Sequence, residues 1–351
     1  MRILFLTEGT TIPASRFRVG QFLPYFRDRG VQCTVRPGYG DHYNQIASTP
    51  LGTPYKLTKR LLRVLRSLDA AQFDLVFLQR PAIPHTPLPE QLINHLNRRT
   101  IFDVDDAIFL NPDGTTNPRL HHTFSTIVDE VHHLICGNSF LADAAQAPHK
   151  TSIIPTVIDC QRYSPTPDRK SRFHSDDPII GWMGTASNFK SLESVVPALR
   201  HILDQHPNTR FRVVSNADFP PLGDHPQFQY IPWSAADEID LLRSFDIGLM
   251  PLLDIPTSYG KCGFKMIQYM AVGTAVISSP VGANIDIYQG SDAGYLADGI
   301  DDWSQAMTTL LQDAEHRHQC GLSGRQHVLR HYSIQSVIDP YMTLFEQVAN
   351  A

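Results

Sequence analysis

Two lysines, Lys261 and Lys265, stand four residues apart in the glycine-containing run SYGKCGFKMIQYMAVGTAVISSPVG, residues 258–282. This spacing predicts that both ammonium groups lie on one face of a turn. Because like charges repel at that distance and no carboxylate stands close by in the sequence, the pair is expected to bind an anion. A diphosphate would meet this need, and ion pairs with distant Asp or Glu residues are the alternative.

A second stretch with phosphate-binding features is GWMGTASNFKSLE, residues 181–193. Gly184 and Thr185 stand between a predicted strand and a predicted helix, where backbone N–H groups and the helix N-terminus favour an anion. Lys190 lies near the first turn of that helix, where a positive charge is unfavourable because of the helix dipole. Either a bound anion compensates for this charge, or Lys190 is a solvated surface lysine. Gly282, in a loop after a later strand, would also let the backbone approach a ligand. Neither a phosphate loop nor a dinucleotide-binding fingerprint is present, so a nucleoside triphosphatase or a dehydrogenase is not indicated.

The elements that must position these residues follow a strand–helix–strand pattern, which is typical of parallel α/β sheets. In the first half the apolar runs predicted as strands are RILFLT, VQCTVRP, FDLVFLQR, RTIFDVDD, HHLICGN and TSIIPTVID. After a polar stretch, 161–177, which is predicted to be a linker, the pattern restarts with PIIGWMG, TRFRVVSN, FQYIPW, FDIGLMPL and TAVISSP. Two α/β sheets in series predict a cleft between two domains, with ligands at the carboxyl ends of the strands.

The composition is that of an ordinary globular protein with two domains. Of the 351 residues, 42% are hydrophobic and 19% are charged, and a chain of this length usually exceeds a single core. The net charge of −5 provides no basic field for nucleic acid. Five scattered cysteines without metal-ligand spacing indicate a reduced, cytoplasmic protein. The start, MRILFLTEG, is too short for a signal peptide, and no window reaches a membrane-spanning length, so a soluble protein is expected.

Clustered carboxylates end one predicted strand of the first half. In FDVDDAIF, Asp103 and Asp105 alternate onto one face of the strand and Asp106 falls on the other. Such clustering is electrostatically costly unless the carboxylates bind a cation, a hydroxyl or a helix N-terminus. A sugar or acceptor hydroxyl is therefore a candidate ligand, and capping of the next segment is the alternative.

Charged residues also follow two other strands of the first half. Glu8 ends the first strand, and Arg16 and Arg18 come in the loop or first helical turn after it. Arg80 ends the run FDLVFLQR. These four residues are predicted to face the cleft, where the arginines would position an acceptor that bears phosphate or close on the donor; ordinary surface arginines are the alternative.

The run KLTKRLLRVLRSL, residues 56–68, has leucines on one helical face and lysines and arginines largely on the other. A helix of this kind can lie on an anionic membrane surface, which would suit an acceptor carried on a lipid. Packing of the apolar face on the sheet, with the basic face in water, explains the pattern equally well.

Several of these motifs together resemble the glycosyltransferases of family 4. GKCGFKMIQYMAVGTAVISSPVGAN, FDIGLMPL and GWMGTASNFKSLE are similar to the C-terminal domain of that family, and FDVDDAIF, ICGNSFLAD and IIPTVID to its N-terminal domain, so the likeness covers nearly the whole chain. The resemblance implies the GT-B fold, an α/β architecture of two Rossmann-like domains that face each other across a cleft. It implies an acceptor domain over residues 1–165, a nucleotide-sugar donor domain over 166–335 and a C-terminal helix, 336–351, that packs back on the first domain.

The chain departs from the family's two-glutamate motif. The tail QYMAVG aligns Gln268 with the second glutamate and Gly260 with the first, as in a branch with a GK-x-x-F-K run. The resemblance implies that Gln268 holds the ribose hydroxyls and that the nucleobase lies against Asn216 and Trp233, although Trp233 could equally be a packing residue. Asp105 takes the register of a histidine that commonly faces the donor sugar in the family.

The resemblance implies a retaining enzyme that moves a sugar from a nucleotide-diphosphate sugar to a hydroxyl acceptor in polysaccharide, glycolipid or other glycoconjugate synthesis. Asp105, Lys190 and Lys265 are the implied catalytic residues, and Lys261 assists Lys190 and Lys265 on the departing diphosphate. No metal or other cofactor is expected. The alternatives are a nucleotide-sugar binding protein with weakened chemistry and a nucleotide-sugar epimerase of the same fold. A lipid-linked acceptor would place the protein at the inner face of the membrane.

Overall fold

The computed structural model describes residues 1–40, 49, 52–166 and 177–351, which form two compact units. The first unit comprises Met1–Val157, Ile255–Cys262 and Ile334–Ala351, and the second comprises Ile158–Asp254 and Gly263–Ser333. The predicted linker, 161–177, lies mostly outside the described residues. Each unit is built around one parallel sheet.

The sheet of the first unit has six strands within the described ranges. They are Arg2–Gly9 (β1), Gln32–Tyr39 (β2), Leu75–Gln79 (β3), Thr100–Val104 (β4), His133–Cys136 (β5) and Thr151–Ile153 (β6). Their order is β2-β1-β3-β4-β5-β6, and all pairs are parallel. The order reverses between β1 and β3, and in open parallel sheets such a switch point is where a ligand binds, outside the carboxyl ends of the strands.

The sheet of the second unit also has six parallel strands within the described ranges. They are Ile179–Met183 (β7), Arg210–Ser215 (β8), Phe228–Pro232 (β9), Ile247–Met250 (β10), Ala275–Ser278 (β11) and Gly294–Leu296 (β12). Their order is β12-β11-β10-β7-β8-β9, so the switch point lies between β7 and β10. The sequence pattern missed β12, because its three residues lie in the segment SDAGYLADG, residues 291–299, which has no continuous apolar run.

Helices connect the strands and pack against the sheets. In the first unit they are Pro13–Arg18 (α1), Leu23–Asp28 (α2), Gly52–Leu65 (α3), Leu88–Leu96 (α4), Pro118–Glu130 (α5) and Ser139–Ala145 (α6). Those of residues 189–349 are Phe189–Glu193 (α7), Val196–Gln205 (α8), Glu238–Arg243 (α9), Pro256–Tyr259 (α10), Phe264–Ala271 (α11), Ala283–Tyr288 (α12), Gly299–Gln312 (α13), Ala314–His331 (α14) and Ile334–Ala349 (α15). In the described ranges no helix combines the length and apolarity that crossing a membrane requires.

The last helix, α15, belongs to the first unit through an aromatic cluster. The ring centre of Phe345 lies 6.3 Å from that of Phe5, 5.1 Å from that of Phe26 and 6.2 Å from that of Phe77. Phe5 and Phe77 stand on the central strands β1 and β3, so the end of the chain closes one face of that sheet. Burial of such rings is among the largest apolar contributions to stability.

A glutamate buried in the first unit makes folding sensitive to pH. Glu90 on α4 is 2% exposed, and its Oε1 accepts a hydrogen bond of 2.7 Å from the N–H of Ala82, while its Oε2 has no partner among the described residues. Burial raises the pKa of Glu90 from 4.5 to about 7. Between these two values the folded state holds a proton that the unfolded state has released.

The free energy of unfolding should therefore fall as pH rises from about 4.5 to 7, by ~3 kcal/mol in total from this group. Glu90→Gln keeps the shape of the protonated side chain, so it should remove that part of the pH dependence and stabilise the protein above pH ~7. Urea unfolding followed across this pH range checks the expectation, with the exposed Glu193→Gln as the control. Equal pH slopes for Glu90→Gln and the wild type would contradict it.

Candidate functional site

A lysine is held at the switch point of the second sheet. The ammonium Nζ of Lys265 lies 5.6 Å from the ring centre of Trp182 on β7, and Gly184 follows that strand directly. A Cβ atom at Gly184 would lie 2.6 Å from Cε of Lys265 and 2.7 Å from Cη2 of Trp182. Gly184 therefore leaves the room that the lysine stem occupies, and the indole face stabilises the cation. Lys265 is half-buried in this position.

The turn after β7 is fixed to the end of β8 by hydrogen bonds. Oδ1 of Asn216 accepts from the N–H of Ala186 at 2.9 Å. The hydroxyls of Thr185 and Ser187 lie 2.8 Å apart, and Nδ2 of Asn188 donates to Oγ1 of Thr185 at 3.0 Å. Gly184, Thr185 and Asn216, all predicted to bind the donor, are thus brought together at the carboxyl edge of this sheet. Lys190 is exposed on α7, the short helix that follows the turn.

The two lysines of the GK-x-x-F-K run do not share a helical turn, so the prediction that they lie on one face was wrong. Gly263 has a φ of 59° and serves as the N-cap of α11, which begins at Phe264. A left-handed residue interrupts the helical geometry, and glycine adopts it at no steric cost. Lys265 stands in the second unit, whereas Lys261 stands in the first, where its carbonyl accepts a hydrogen bond of 3.1 Å from Nδ2 of Asn138.

Gly260 is packed too closely to be replaced by a residue with a side chain. A Cβ atom there would lie 2.5 Å from Cβ and 2.7 Å from the N atom of Ala107 in the same unit. At the position that aligns with the family's first glutamate, the atoms of Ala107 therefore leave no room for a side chain. The thiol of Cys262 donates to the carbonyl of Asp105 at 3.2 Å, so residues 260–262 have a second contact with the loop that follows β4.

The other residues predicted to bind the nucleotide lie on three separate elements of the second unit. Gln268 is buried on α11, and Gly282, with a φ of 55°, directly precedes α12. The N–H of Trp233 donates to the carbonyl of Ser215 at 2.9 Å, and its indole Nε1 donates to Oε2 of Glu238 at 3.0 Å. The indole of Trp233 is half-buried, with its N–H engaged inside the unit.

Four charged residues meet at the switch point of the first sheet. Arg80, which follows β3, has a φ of 60°, a left-handed conformation that is uncommon outside glycine. Its guanidinium lies 2.9 Å from Asp105, 3.5 Å from Glu8 and 3.7 Å from Asp106. Burial alone would lower the pKa of Arg80, but the carboxylates of Asp105, Glu8 and Asp106 raise it well above its ordinary value. One arginine therefore faces three carboxylates at the carboxyl ends of β1, β3 and β4.

A second ion pair, Arg18–Asp103, lies inside the first unit. Nε of Arg18 lies 3.2 and 3.1 Å from the two carboxylate oxygens of Asp103, and Nη1 donates to the carbonyl of Ile154 at 2.8 Å. The side chains are 1% and 0% exposed, so neither charge reaches solvent. Arg16, predicted on the same acceptor side, places its guanidinium 4.8 Å from the ring centre of Phe17.

Sequence reasoning missed Gln79, the last residue of β3. Its Oε1 accepts from the N–H of Glu8 at 3.0 Å and from the hydroxyl of Ser15 at 2.8 Å. Within the described residues, Nε2 of Gln79, Oγ1 of Thr11 and Oε2 of Glu8 are buried without a hydrogen-bond partner. The sequence did offer a signal for Gln79, because a polar residue at the end of an apolar strand often lies at a ligand site. Gln79 occupies such a position, directly before Arg80. No group of three His, Cys, Asp or Glu side chains in the described part of the chain could hold a metal ion.

Comparison with known proteins gives a family match in the second half of the chain. Residues 177–313 match the family described as Glycosyl transferases group 1. D-inositol 3-phosphate glycosyltransferase of Corynebacterium efficiens is 23% identical over 287 residues, which are 75% of this chain and 61% of that protein. The chain thus spans less than two thirds of the length of this relative.

Among the solved structures that match essentially the whole chain are the following two. The Anabaena protein HepE, in complex with UDP and glucose, has a TM-score of 0.72 at 15% identity and covers 100% of this chain and 98% of its own. Sucrose-phosphate synthase from Thermosynechococcus elongatus has a TM-score of 0.73 at 14% identity, with 99% of each chain covered. The predicted two-sheet α/β architecture of the GT-B fold is therefore confirmed, and residues 177–313 are similar to the group 1 glycosyl transferases.

Proposed function

We propose that the protein transfers a sugar from a nucleoside diphosphate to a hydroxyl acceptor. The observation that carries this proposal is the half-buried Lys265 at the switch point of the second sheet, held between Gly184 and the indole of Trp182. A cation fixed at the carboxyl edge of a parallel sheet is suited to a phosphate-bearing ligand.

The charge of Lys265 acts on the leaving group. As the glycosidic bond breaks, the bond's electron pair passes to the diphosphate oxygen, and that oxygen gains negative charge. A positively charged group that is already in place stabilises this charge without reorganisation in the transition state, and partial burial strengthens the interaction. The N-terminus of α11, the turn at Thr185 and the exposed Lys190 would add to the positive potential on the donor. We assign no metal or other cofactor to this step.

UDP is the nucleotide that we expect to bind first. The Anabaena structure with a matching fold holds UDP together with glucose. Gln268 on α11 would contact the ribose hydroxyls, and Asn216 and the half-buried Trp233 would border the base. Because the motifs resemble retaining enzymes, the product should keep the anomeric configuration of the donor.

The acceptor side is assigned to the first unit, at the cluster of Glu8, Arg80, Asp105 and Asp106. Buried polar atoms without a hydrogen-bond partner are costly, and hydroxyls of a bound sugar could satisfy those of Thr11 and Gln79. Since three carboxylates outnumber one arginine, this cluster favours a neutral polyhydroxyl group over a phosphate. Asp105, the residue of this cluster closest to Arg80, is the proposed hydrogen-bond acceptor for a sugar hydroxyl.

The acceptor would be carried on a lipid and extended in polysaccharide or glycolipid synthesis. This part of the proposal rests on residues 56–68, where basic side chains and leucines occur on one helix. Contact of that segment with the inner face of the membrane would bring a lipid-linked acceptor to a protein of the cytoplasm.

Incubation with a panel of nucleotide sugars, with and without hydroxyl acceptors, tests the proposal. Nucleoside diphosphate should be released, faster with an acceptor present, and the glycosidic product should retain the donor's anomeric configuration by NMR. Turnover should survive chelation of divalent metals. Binding of nucleotide sugars without any release would favour a binding protein, and a product that differs at one stereocentre without an acceptor would favour an epimerase.

A further inference from the structure

A buried carboxylate of the second unit connects Trp233 to the interior of that unit. Glu238, the first residue of α9, is 2% exposed. Its Oε2 accepts a hydrogen bond of 3.0 Å from the indole N–H of Trp233, and its Oε1 accepts one from the hydroxyl of Tyr163. A carboxylate removed from water is costly unless donors surround it, and here each oxygen has a donor. Because Glu238 offers almost no surface to a ligand, its effect on binding has to pass through Trp233.

The elements on either side of this carboxylate are themselves held in place. The N–H of Tyr163 donates to the carbonyl of Asp159 at 2.8 Å, and the carbonyl of Tyr163 accepts from Nη1 of Arg325 at 2.7 Å. At the other end of α9, Nε of Arg243 donates to the carbonyl of Ser164 at 2.8 Å. Tyr163 and Ser164 thus hold both ends of α9. An indole bonded to this frame has less side-chain freedom to lose when a ligand contacts it.

The position of Trp233 along the sheet suits the base of a nucleotide whose diphosphate is at Lys265. Trp233 directly follows β9, which stands two strands from β7 in the order β7-β8-β9. Neighbouring strands are ~4.8 Å apart, so the end of β9 lies ~10 Å from the end of β7 along the carboxyl edge. Lys265 is held against Trp182 of β7. A nucleoside diphosphate that lies along this edge from Lys265 would therefore bring its base to Trp233.

The hydrogen bond to Glu238 determines which part of the indole meets the base. The Nε1–H group is the only donor of a tryptophan side chain, and Glu238 occupies it. We propose that Glu238 is a positioning residue for the nucleobase: with Tyr163 on its other oxygen, it fixes the indole of Trp233 so that the ring, and not the N–H group, borders the base. Contact of a base with an aromatic ring contributes affinity through stacking. This role of Glu238 deepens the proposed function and rests on it for the site of the diphosphate.

Calorimetric titration of the full chain with UDP, GDP and ADP, and with inorganic pyrophosphate as a ligand without a base, tests the proposal. Glu238→Leu leaves the indole N–H without its acceptor. It should weaken binding of the nucleoside diphosphate that the wild type prefers by about tenfold. Pyrophosphate binding should be unchanged, because pyrophosphate has no base to contact Trp233. Glu238→Gln should bind both ligands as the wild type does, since its amide oxygen accepts from the indole and its NH2 group donates to the tyrosine hydroxyl, which can also accept.

A second variant tests the same carboxylate from its other side. Tyr163→Phe removes the donor to Oε1 of Glu238, and it should weaken binding of the nucleoside diphosphate by about threefold without changing that of pyrophosphate. The matched control is Tyr295→Phe, which removes a hydroxyl that lies 2.9 Å from Nε2 of His316. Tyr295 stands on β12, the edge strand opposite β9, so this variant should bind both ligands as the wild type does.

Wild-type affinity of Glu238→Leu for the nucleoside diphosphate would overturn the inference. Equal losses for the nucleoside diphosphate and pyrophosphate would do the same, since they indicate a general structural defect. If Glu238→Leu does not fold, Tyr163→Phe decides by the same comparison. Release of nucleotide from nucleotide sugars is assayed in parallel. A wild type that binds with this selectivity but releases no nucleotide would count against the proposed transfer alone, whereas a wild type that binds no nucleoside diphosphate would overturn both.

Discussion

Lys265→Ala should lower turnover of the nucleotide sugar by about 10²–10³, the cost typical of removing one preorganised group that stabilises developing negative charge. The effect should fall on kcat, since the charge on the leaving diphosphate is larger in the transition state than in the bound donor. Folding should be unaffected, because the alanine leaves only the face of Trp182 and the space beside Gly184 uncovered.

Steady-state kinetics of released nucleoside diphosphate measure this effect. The matched control is Arg98→Ala, which removes one exposed positive charge from the first unit and should keep wild-type kinetics. Circular dichroism and the unfolding temperature of both variants verify that each is folded. A Lys265→Ala variant as active as the wild type would remove this lysine from the mechanism.

Arg18→Met should destabilise the protein by about 3–5 kcal/mol, because it leaves the buried carboxylate of Asp103 without its partner. Burial already raises the pKa of Asp103, and Arg18 is the cation that opposes this rise. Without the arginine, Asp103 can avoid the cost of an unpaired charge only by taking up a proton. The loss of stability should therefore be smaller in acid than at neutral pH.

Urea unfolding at two pH values measures the loss, and Arg18→Met with Asp103→Asn should recover part of it. Arg200→Met removes the arginine of an exposed pair, in which Arg200 lies 2.6 Å from Asp224, and it should change stability little. If the Arg18→Met variant were as stable as the Arg200→Met variant, the buried pair would contribute nothing to the free energy of unfolding.

The strands could be predicted from the sequence because most of them are continuous apolar runs that end in polar residues. β3 and β4 are buried along their whole length, as that pattern indicates for the interior of a parallel sheet. The pattern failed for β12, whose three residues, Gly294–Leu296, belong to no continuous apolar run. The pattern also could not tell which face of the helix in residues 56–68 packs on the sheet. That orientation depends on the buried Arg63, which donates to carbonyls of β1 and β3, and local periodicity does not reveal such contacts.

Candidate site residues could be chosen from the sequence where strand ends carry unusual residues, as at Gly184 and Arg80. Contacts between distant residues were beyond reach: the pairing of Arg18 with Asp103 joins positions 85 residues apart. The relation of Lys261 to Lys265 depended on the backbone of Gly263, whose left-handed conformation breaks the spacing from which the pair was inferred. The prediction that each donor and acceptor residue contacts its ligand stays a prediction.

Thermal unfolding in the presence of nucleoside diphosphates tests the central claim, that Lys265 holds the diphosphate of the donor. A ligand that binds only the folded state raises the unfolding temperature according to its affinity and concentration. We expect UDP, or another nucleoside diphosphate of the panel, to stabilise the wild type, and Lys265→Ala to lose most of this stabilisation. Equal stabilisation of the two proteins, or none of the wild type by any nucleoside diphosphate, would contradict it.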